Sequence, residues 1–535
     1  MPYQPLSHAP PKDLHVLIAG GGIGGIALGL MLERANISYL ILERSERVRP
    51  VGSAISLGPN VLRLFDQLSL GKEIRDASKK VSRMAYYDSV KNISNAKPDN
   101  YAEMMFVEQR YGYCTQVIPR SILHNILSSK VPSSKVIMGK HVIEVVEQDP
   151  LSSSKTSSVT CRCADGSEYT GTLLVGADGT YSTIRHLLYQ DLDRQGALDP
   201  RDRRPLPPFQ HCMVGVTDPL DPEEFKTLQD DYVDFQVIRG GGASKDGNTD
   251  TQHSIWLMPL ANRQIAWNLF YRYDKEIVQG YYDAVDYYDP PKHSPSSSPS
   301  PSSSPSPSST PNPSSINNDS SDYTLATAAH EKAWRSLQSA SRDQASRLLA
   351  NHRPMRNPLS VRGGTLGELF DKTRPELISS VTMEQGFYHT WYHGRVVLLG
   401  DACHKSLPYG GQGANQAILD GVALVNNLVR LESTSAQDLV PCFQDYVDQR
   451  ASVADTARIG SACYGYLFGG SSWAASLYRW SYFWCMPSQV VHWFADPFFR
   501  VRPLLSFLPY VRDYGRCRAA PTMMHEPGGR VVDAT

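Results

Sequence analysis

Residues 14–43, LHVLIAGGGIGGIALGLMLERANISYLILE, constrain this chain more than any other stretch. Val16–Ala19 is a continuous apolar run, the signature of a strand buried on both faces. Glycines follow at once, then apolar residues from Ile26 to Leu32 at helical density, then a break at "ANIS" and a second apolar run at Tyr39–Leu42. This is one βαβ unit. Gly20, Gly22 and Gly25 form GxGxxG at its turn. In that pattern the first glycine permits the tight turn, the second lets a diphosphate approach the backbone, and the third lets helix pack on strand. Glu43 closes the second strand, where an acid can bond a ribose hydroxyl. An acid there disfavours a 2′-phosphate, so FAD or NAD is expected over NADP. The alternative is a glycine turn kept only for helix–sheet packing.

The remainder of the 535-residue chain predicts more than one domain. The composition, 41% hydrophobic and 10% aromatic, is ample for a core, and a net charge of −1 gives no electrostatic case for nucleic acid. Nine dispersed cysteines without CxxC or His/Cys metal spacing predict reduced thiols and no metal site. The run Leu14–Ala19 is too short for a signal-peptide core, so an intracellular protein is expected. Residues 206–270 carry short alternating runs separated by turn residues, as in an antiparallel sheet, and 322–350 read as helix. The Ser/Pro-rich stretch within 294–321 cannot bury enough apolar surface to offset ordering entropy. Buried-strand character returns at "GRVVLLGD" from Gly394.

Two further strand-to-turn elements stand apart from the first. One is "TLLVGADGTYSTIR" (172–185), with Asp178 and Gly179; the other is "VVLLGDACHKSLPYGGQGANQAILDG" (396–421), with Asp401 and a glycine cluster before a helix starting near Ala414. Three such motifs in this order resemble the class A flavin-dependent monooxygenases, the p-hydroxybenzoate hydroxylase-like superfamily. The resemblance covers roughly residues 14–60, 115–190 and 390–450, and is looser in the middle and tail.

It implies an α/β fold. A Rossmann-like FAD-binding domain with a parallel sheet (12–85, 115–190 and 388–460) is interleaved with a smaller, mainly antiparallel β-sheet substrate domain (86–114 and 200–387). A C-terminal, helical, aromatic-rich tail (461–535) follows. Carried over by position, Gly20, Gly22 and Gly25 take the diphosphate and Glu43 the adenosine ribose. Arg120, in "VIPRSIL", contacts the cofactor near its phosphates. Asp178 and Gly179 serve FAD and the transient nicotinamide, and Asp401 bonds the ribityl or ribose portion. Gly413 and Ala414 offer backbone N–H groups to the flavin ring, and Ala54, in "VGSAISLGPN", lines it.

A physical reason stands beside the family one. Reduced flavin carries negative charge near N1 and the C2 carbonyl, and a helix N-terminus aims N–H groups at such charge. Glycines let backbone lie against a flat ring. The alternative for "GGQGAN" is a flexible loop. Cys403 and His404 read as packing or hydrogen-bonding residues, since no partner base is visible in sequence.

The activity implied is an NADH- or NADPH-using monooxygenase. Reduced FAD captures O2 as a C4a-hydroperoxide and passes one oxygen atom to a small apolar or aromatic organic substrate, by hydroxylation or epoxidation. No second GxGxxG exists for the nicotinamide. Aromatic hydroxylases of the family often place an Arg by the phenolate, and "PFQHCMVGVT" (208–217) has none. That stretch, "GDACHKSLP" and the aromatic tail are similar to the fungal terpenoid and meroterpenoid epoxidases of the superfamily. Tyr232, Phe235, Trp256 and Trp267 are candidates for the pocket wall or for plain sheet core. The rivals are a flavin oxidase or dehydrogenase on the same fold, and a non-catalytic FAD-fold binding protein. In the tail, residues 463–510 hold four of the eight tryptophans, interrupted by Arg479, Pro487 and Asp496. They predict either helices packed on the catalytic domain or a peripheral contact with the cytosolic face of a membrane.

Overall fold

The computed structural model describes residues 9–48, 52–88, 97–148, 157–203, 206, 208–240, 253–273, scattered positions between 279 and 339, and 341–470 and 472–520. The Ser/Pro-rich stretch 294–321, most of the segment expected to be helical over 322–350, and residues 521–535 lie outside the described residues; 341–352 is helical.

A six-stranded sheet orders its strands Tyr392–His393, Val396–Leu398, Leu173–Gly176, His15–Ala19, Ser38–Glu43 and Val136–Met138. All neighbours are parallel except the antiparallel edge strand Tyr392–His393. The three predicted motifs thus supply three adjacent strands. His15–Ala19 lies between the other two turn-bearing strands and Ser38–Glu43, so the carboxyl ends carrying Gly20, Gly176 and Leu398 fall along one edge. Helix Ile23–Arg34 is buried along nearly its whole length, covered by the sheet and by helix Gly413–Leu428. This explains why its sequence is apolar all round rather than amphipathic.

A nine-stranded sheet forms the second layer, ordered Ser379–Glu384, Pro208–Val216, Ile265–Tyr271, His253–Pro259, Tyr232–Gly240, Lys79–Tyr87, Gln116–Pro119 and Ala54–Leu57, with Asn100–Glu103 on Lys79–Tyr87. Its pairings are antiparallel apart from Tyr232–Gly240 against Lys79–Tyr87. Two of these strands, 54–57 and 116–119, fall within the pieces expected to belong to the nucleotide domain, and 79–87 runs across the expected boundary at 85. A strand's sequence does not name its partner, and their hydrogen bonds go to the other sheet.

Strand parity sorts the aromatic candidates. Trp256 and Met258 face one side with Phe235 and Phe270, whereas Ile255, Leu257, Trp267 and Leu269 face the other. Trp267 packs on Phe370 and donates its Nε1–H to Thr373, away from the first side, and Tyr232 is largely exposed beside Lys80.

The tail does not begin at 461. Helix Ala436–Gly469 runs through that position unbroken, followed by helix Trp473–Trp480, a π turn at Ser481–Cys485 and helix Ser488–Phe499. Beyond it, 500–520 has no regular structure but is tied down. Gln67 donates to Leu505 O, Arg63 to Val511 O, and Arg502 to Asp513 at 2.7 Å.

Candidate functional site

Where the two sheets meet lies a cavity of about 460 Å³ lined by all three motif turns. On its first side stands the glycine turn. Gly20 has φ +107°, and a Cβ there would lie 2.5 Å from Ala177 O. Gly25 lies behind it and does not line the cavity. A Cβ on Gly25 would come within 2.0 Å of Gly20 O, so its role is the close stacking of turn on helix. Gly22 is different, because nothing lies within 4 Å of where its Cβ would be. It faces open cavity at the N-terminus of helix Ile23–Arg34, which has no side-chain cap and no acid in its first turn. His124 Nε2 contacts Gly21 O at 2.7 Å and braces the turn from beneath.

Beside it stands a second helix start, packed against the first where Gly24 meets Ala417. Gly413 and Ala414 line the cavity at the first turn of Gly413–Leu428, which likewise lacks a side-chain cap and first-turn acid. Two bare helix N-termini on one cavity make its wall there electropositive. Asn415 fixes their neighbourhood: its Oδ1 accepts from Gly58 N, while its Nδ2 donates to Ser56 O at 2.8 Å and Gly411 O at 2.6 Å. It thereby ties the Ala54–Leu57 strand to the helix start, and Ala54 lines the cavity between them.

Arg120 also lines the cavity and adds a full charge. Its guanidinium has no hydrogen bond or ion pair with another described residue, and burial depresses its pKa against the pull of Glu43 and Asp401. A half-buried cation without an anion is costly in proportion to its loss of water, and a ligand that supplies one offsets that cost. Asp401 lines the cavity too, its Oδ2 accepting from the Thr180 hydroxyl at 3.3 Å, and Gly179 lies beside it.

Gly20, Glu43 and Asp178 line a smaller adjoining hollow with Lys140 and His141. Glu43 Oε2 accepts from Gly21 N–H at 2.7 Å and Oε1 from Ser45 N–H at 2.8 Å. Each oxygen keeps a lone pair for one hydroxyl more. Asp178 Oδ2 accepts from Ile184 N–H while Oδ1 has no hydrogen-bond partner; burial raises its pKa against Ser182, backbone N–H groups and Arg185. Arg185 clamps the second and third motif turns together, donating to Thr180 O at 2.9 Å and Ala402 O at 3.0 Å and stacking on Tyr388.

Beneath the third turn, Asp420 is the common acceptor for Gly400 N–H (3.0 Å), His404 Nε2 (2.7 Å) and Arg450 Nε (2.7 Å). Burial alone would raise the Asp420 carboxyl; His404 and Arg450 outweigh it and hold the pKa at about 2. Cys403, His404 and Asp420 offer three ligand atoms within 4.8 Å of one another, but Asp420 is already engaged and burial keeps the Cys403 thiol protonated. This matches the expected packing and hydrogen-bonding role of Cys403 and His404. Asn415, Arg185, His124, Asp420 and Arg450 are the supporting residues to which motif reading gave no role. Each of the first two also reaches a partner from elsewhere in the chain, Asn415 to Ser56 and Gly58 and Arg185 to Ala402, and Asp420 reaches Arg450.

A family model described as "FAD binding domain" matches residues 13–199 and 364–458. The chain belongs to the class A FAD-dependent monooxygenases. Relatives include FAD-dependent monooxygenase janM of Penicillium janthinellum, 26% identical over 79% of this chain and 70% of that protein. Another is penE of Penicillium thymicola, 26% identical over 79% of this chain and 72% of that protein. Among solved structures, HpxO of Klebsiella pneumoniae complexed with FAD and uric acid superposes with TM-score 0.60 at 17% identity, covering 92% of this chain and 98% of that one. The 2,6-dihydroxypyridine-3-hydroxylase of Arthrobacter nicotinovorans gives TM-score 0.53 at 14% identity, covering 87% and 95%. These likenesses are of fold. The monooxygenase is thus an FAD enzyme acting on a small molecule, and the orphaned Arg120, the open face of Gly22 and the two uncapped helix starts fit a dianionic diphosphate joined to a flat, electron-accepting ring.

Proposed function

We propose that the enzyme uses NADH or NADPH and O2 to insert one oxygen atom into a neutral, apolar organic substrate bearing an alkene or aromatic group. In this reading the diphosphate lies over the turn of Gly20 and Gly22, which Gly25 backs, with Arg120 as counter-ion, and Glu43 holds the adenosine ribose. Asp178 and Gly179 flank the adenosine end and Asp401 the ribityl chain, while Ala54, Gly413 and Ala414 present backbone to the ring. The nucleotide domain then comprises the pieces 12–85, 115–190 and 388–460, and the substrate domain 86–114 and 200–387, with the strands at 54–57, 79–87 and 116–119 forming their shared wall.

When bound, FAD supplies hydride acceptance and oxygen activation. The chain supplies the surroundings. The observation that carries the substrate assignment is the far wall of the cavity. Met84, Met104, Phe235, Trp256, Met258 and Phe270 present apolar surface, joined by the Tyr409 ring, and the charged lining residues are Arg120 and Asp401. Such a wall excludes water, so that oxygen passes to substrate rather than escaping as hydrogen peroxide. It offers no cation to a phenolate, which favours epoxidation of an alkene, as in the fungal terpenoid and meroterpenoid branch. The nicotinamide reaches the same cavity transiently. Nine free cysteines support an intracellular setting, and residues 463–510 a peripheral contact with a membrane.

The test is substrate-stimulated NADH or NADPH oxidation under 18O2 across phenols and prenylated compounds. Labelled product from a prenylated compound, in proportion to nicotinamide consumed, is expected. Stoichiometric peroxide with no labelled product would favour an oxidase or dehydrogenase. Arg120→Met gives a second expected outcome with two opposed signs. FAD affinity falls roughly 10- to 100-fold, from loss of a charge-assisted contact. The melting temperature of the flavin-free protein holds or rises, because a half-buried, uncompensated cation is gone. Calorimetry on both forms measures it.

A further inference from the structure

The outer surface of the tail is at odds with an ordinary soluble face. Trp473, Leu477, Trp480 and Trp484 recur at intervals of four, three and four, which places them on one side of the helix and the π turn that continues it. The three indoles are 80%, 56% and 71% exposed. On the next helix, Trp493 (66%), Val490 and Phe494 also face solvent, while Ala495, Phe498 and Phe499 face inward. Exposed aromatic surface of this kind, on two successive helices, marks a contact site.

Charge says what covers it. From Thr456 to Ala495 the sequence contains no Asp or Glu, only Arg458 and Arg479. Arg479 is buried and donates to Leu467 O and Gly470 O, locking the Trp-bearing helix onto Ala436–Gly469 with its stripe outward. At the margin, Arg500, Arg512, Arg516 and Arg518 are exposed. Indoles with a polar N–H, an acid-free face and flanking arginines match the headgroup level of an anionic bilayer. The helices have 8 and 12 residues, and no helix among the described residues is long and apolar enough to cross a membrane, so the contact lies in the interface. The inner side of the same helices backs the active cavity: Phe499 lines it, and Tyr482 and Phe483 pack on the Trp256–Phe468 cluster.

We propose that the outward face of residues 473–500, centred on Trp473, Trp480, Trp484 and Trp493, docks the enzyme on an anionic lipid bilayer surface and sets its cavity beside a lipid-dissolved substrate. The docking does not depend on the reaction, so flavin content and turnover read on the same samples separate the two.

FAD-loaded, full-length protein is sedimented with phosphatidylcholine vesicles containing 30% phosphatidylserine, as wild type and with Trp473, Trp480, Trp484 and Trp493 all changed to Ser. The wild type is expected to pellet with vesicles. The variant's partition coefficient is expected to fall at least about tenfold, with flavin content and melting temperature retained because these side chains pack on nothing inside. Wild type remaining in the supernatant, or a flavin-loaded variant pelleting equally, overturns the proposal. So does a vesicle-free dimer in gel filtration that the four substitutions dissociate, which would assign the face to a second copy of the chain. Should the variant lose its flavin, the single changes Trp473→Ser and Trp484→Ser carry the same comparison.

Discussion

Replacing Asp420 with alanine should cost the enzyme about 3–5 kcal/mol, the usual consequence of removing one partner from a buried ionic group, and lower its melting temperature by roughly 3–5 °C in a chain of this length. The size follows from what is stranded. Arg450 is almost wholly buried and would lose its carboxylate, and His404 and Gly400 N–H would lose their acceptor. Gly400 sits in the turn that presents Asp401, so flavin retention should fall with stability. The pH dependence has a definite sign. The folded carboxyl, held at about 2, lies below the unfolded value of about 3.9. Its contribution is therefore fully present above pH ~4 and is lost as pH falls towards 2. Thermal melts of wild type and Asp420→Ala should converge over that window. If the two melt together at neutral pH, the cluster is not holding the turn.

Gly22→Val should have the opposite character, a large loss of cofactor with little loss of fold. The Gly22 backbone is extended, with φ −71° and ψ −176°, which valine adopts freely, and its side chain would enter empty space. Stability of the flavin-free protein should change by about 1 kcal/mol or less, the scale of a helix N-cap substitution. The valine methyls would occupy the place assigned to the diphosphate and mask the helix N–H groups, weakening FAD on the order of 100-fold or more. Gly25→Ala is the contrasting control, because its added carbon meets backbone at 2.0 Å and must disturb the turn itself.

Much of this was legible in the residues because it is local. Apolar runs at 16–19, 173–175 and 396–399 followed by glycines announce strands that end in turns, and order along the chain matched them to one family. Ten of the eleven predicted cofactor residues line the two adjoining hollows, and Gly25 stands directly behind them. What stayed hidden is non-local. Nothing in 79–87 says that it pairs with 232–240. Nothing at Asp420 says that His404, sixteen residues back, and Arg450, thirty on, share its carboxylate. Trp256 and Trp267 look alike in sequence, yet parity in a bent sheet sends one to the cavity and the other to the opposite core. Asn415 was within the quoted glycine segment, but its work depends on Ser56 and Gly58 arriving from the other end of the chain.

The central claim, that three distant turns close on one flavin nucleotide, is tested most directly by titrating FAD into flavin-stripped, full-length protein and following visible absorbance, with wild type and Gly22→Val side by side. The account predicts saturation at one FAD per chain for wild type and no saturation of the still-folded variant over the same range. A wild type that cannot be reconstituted, or a variant that fills as readily, would contradict it.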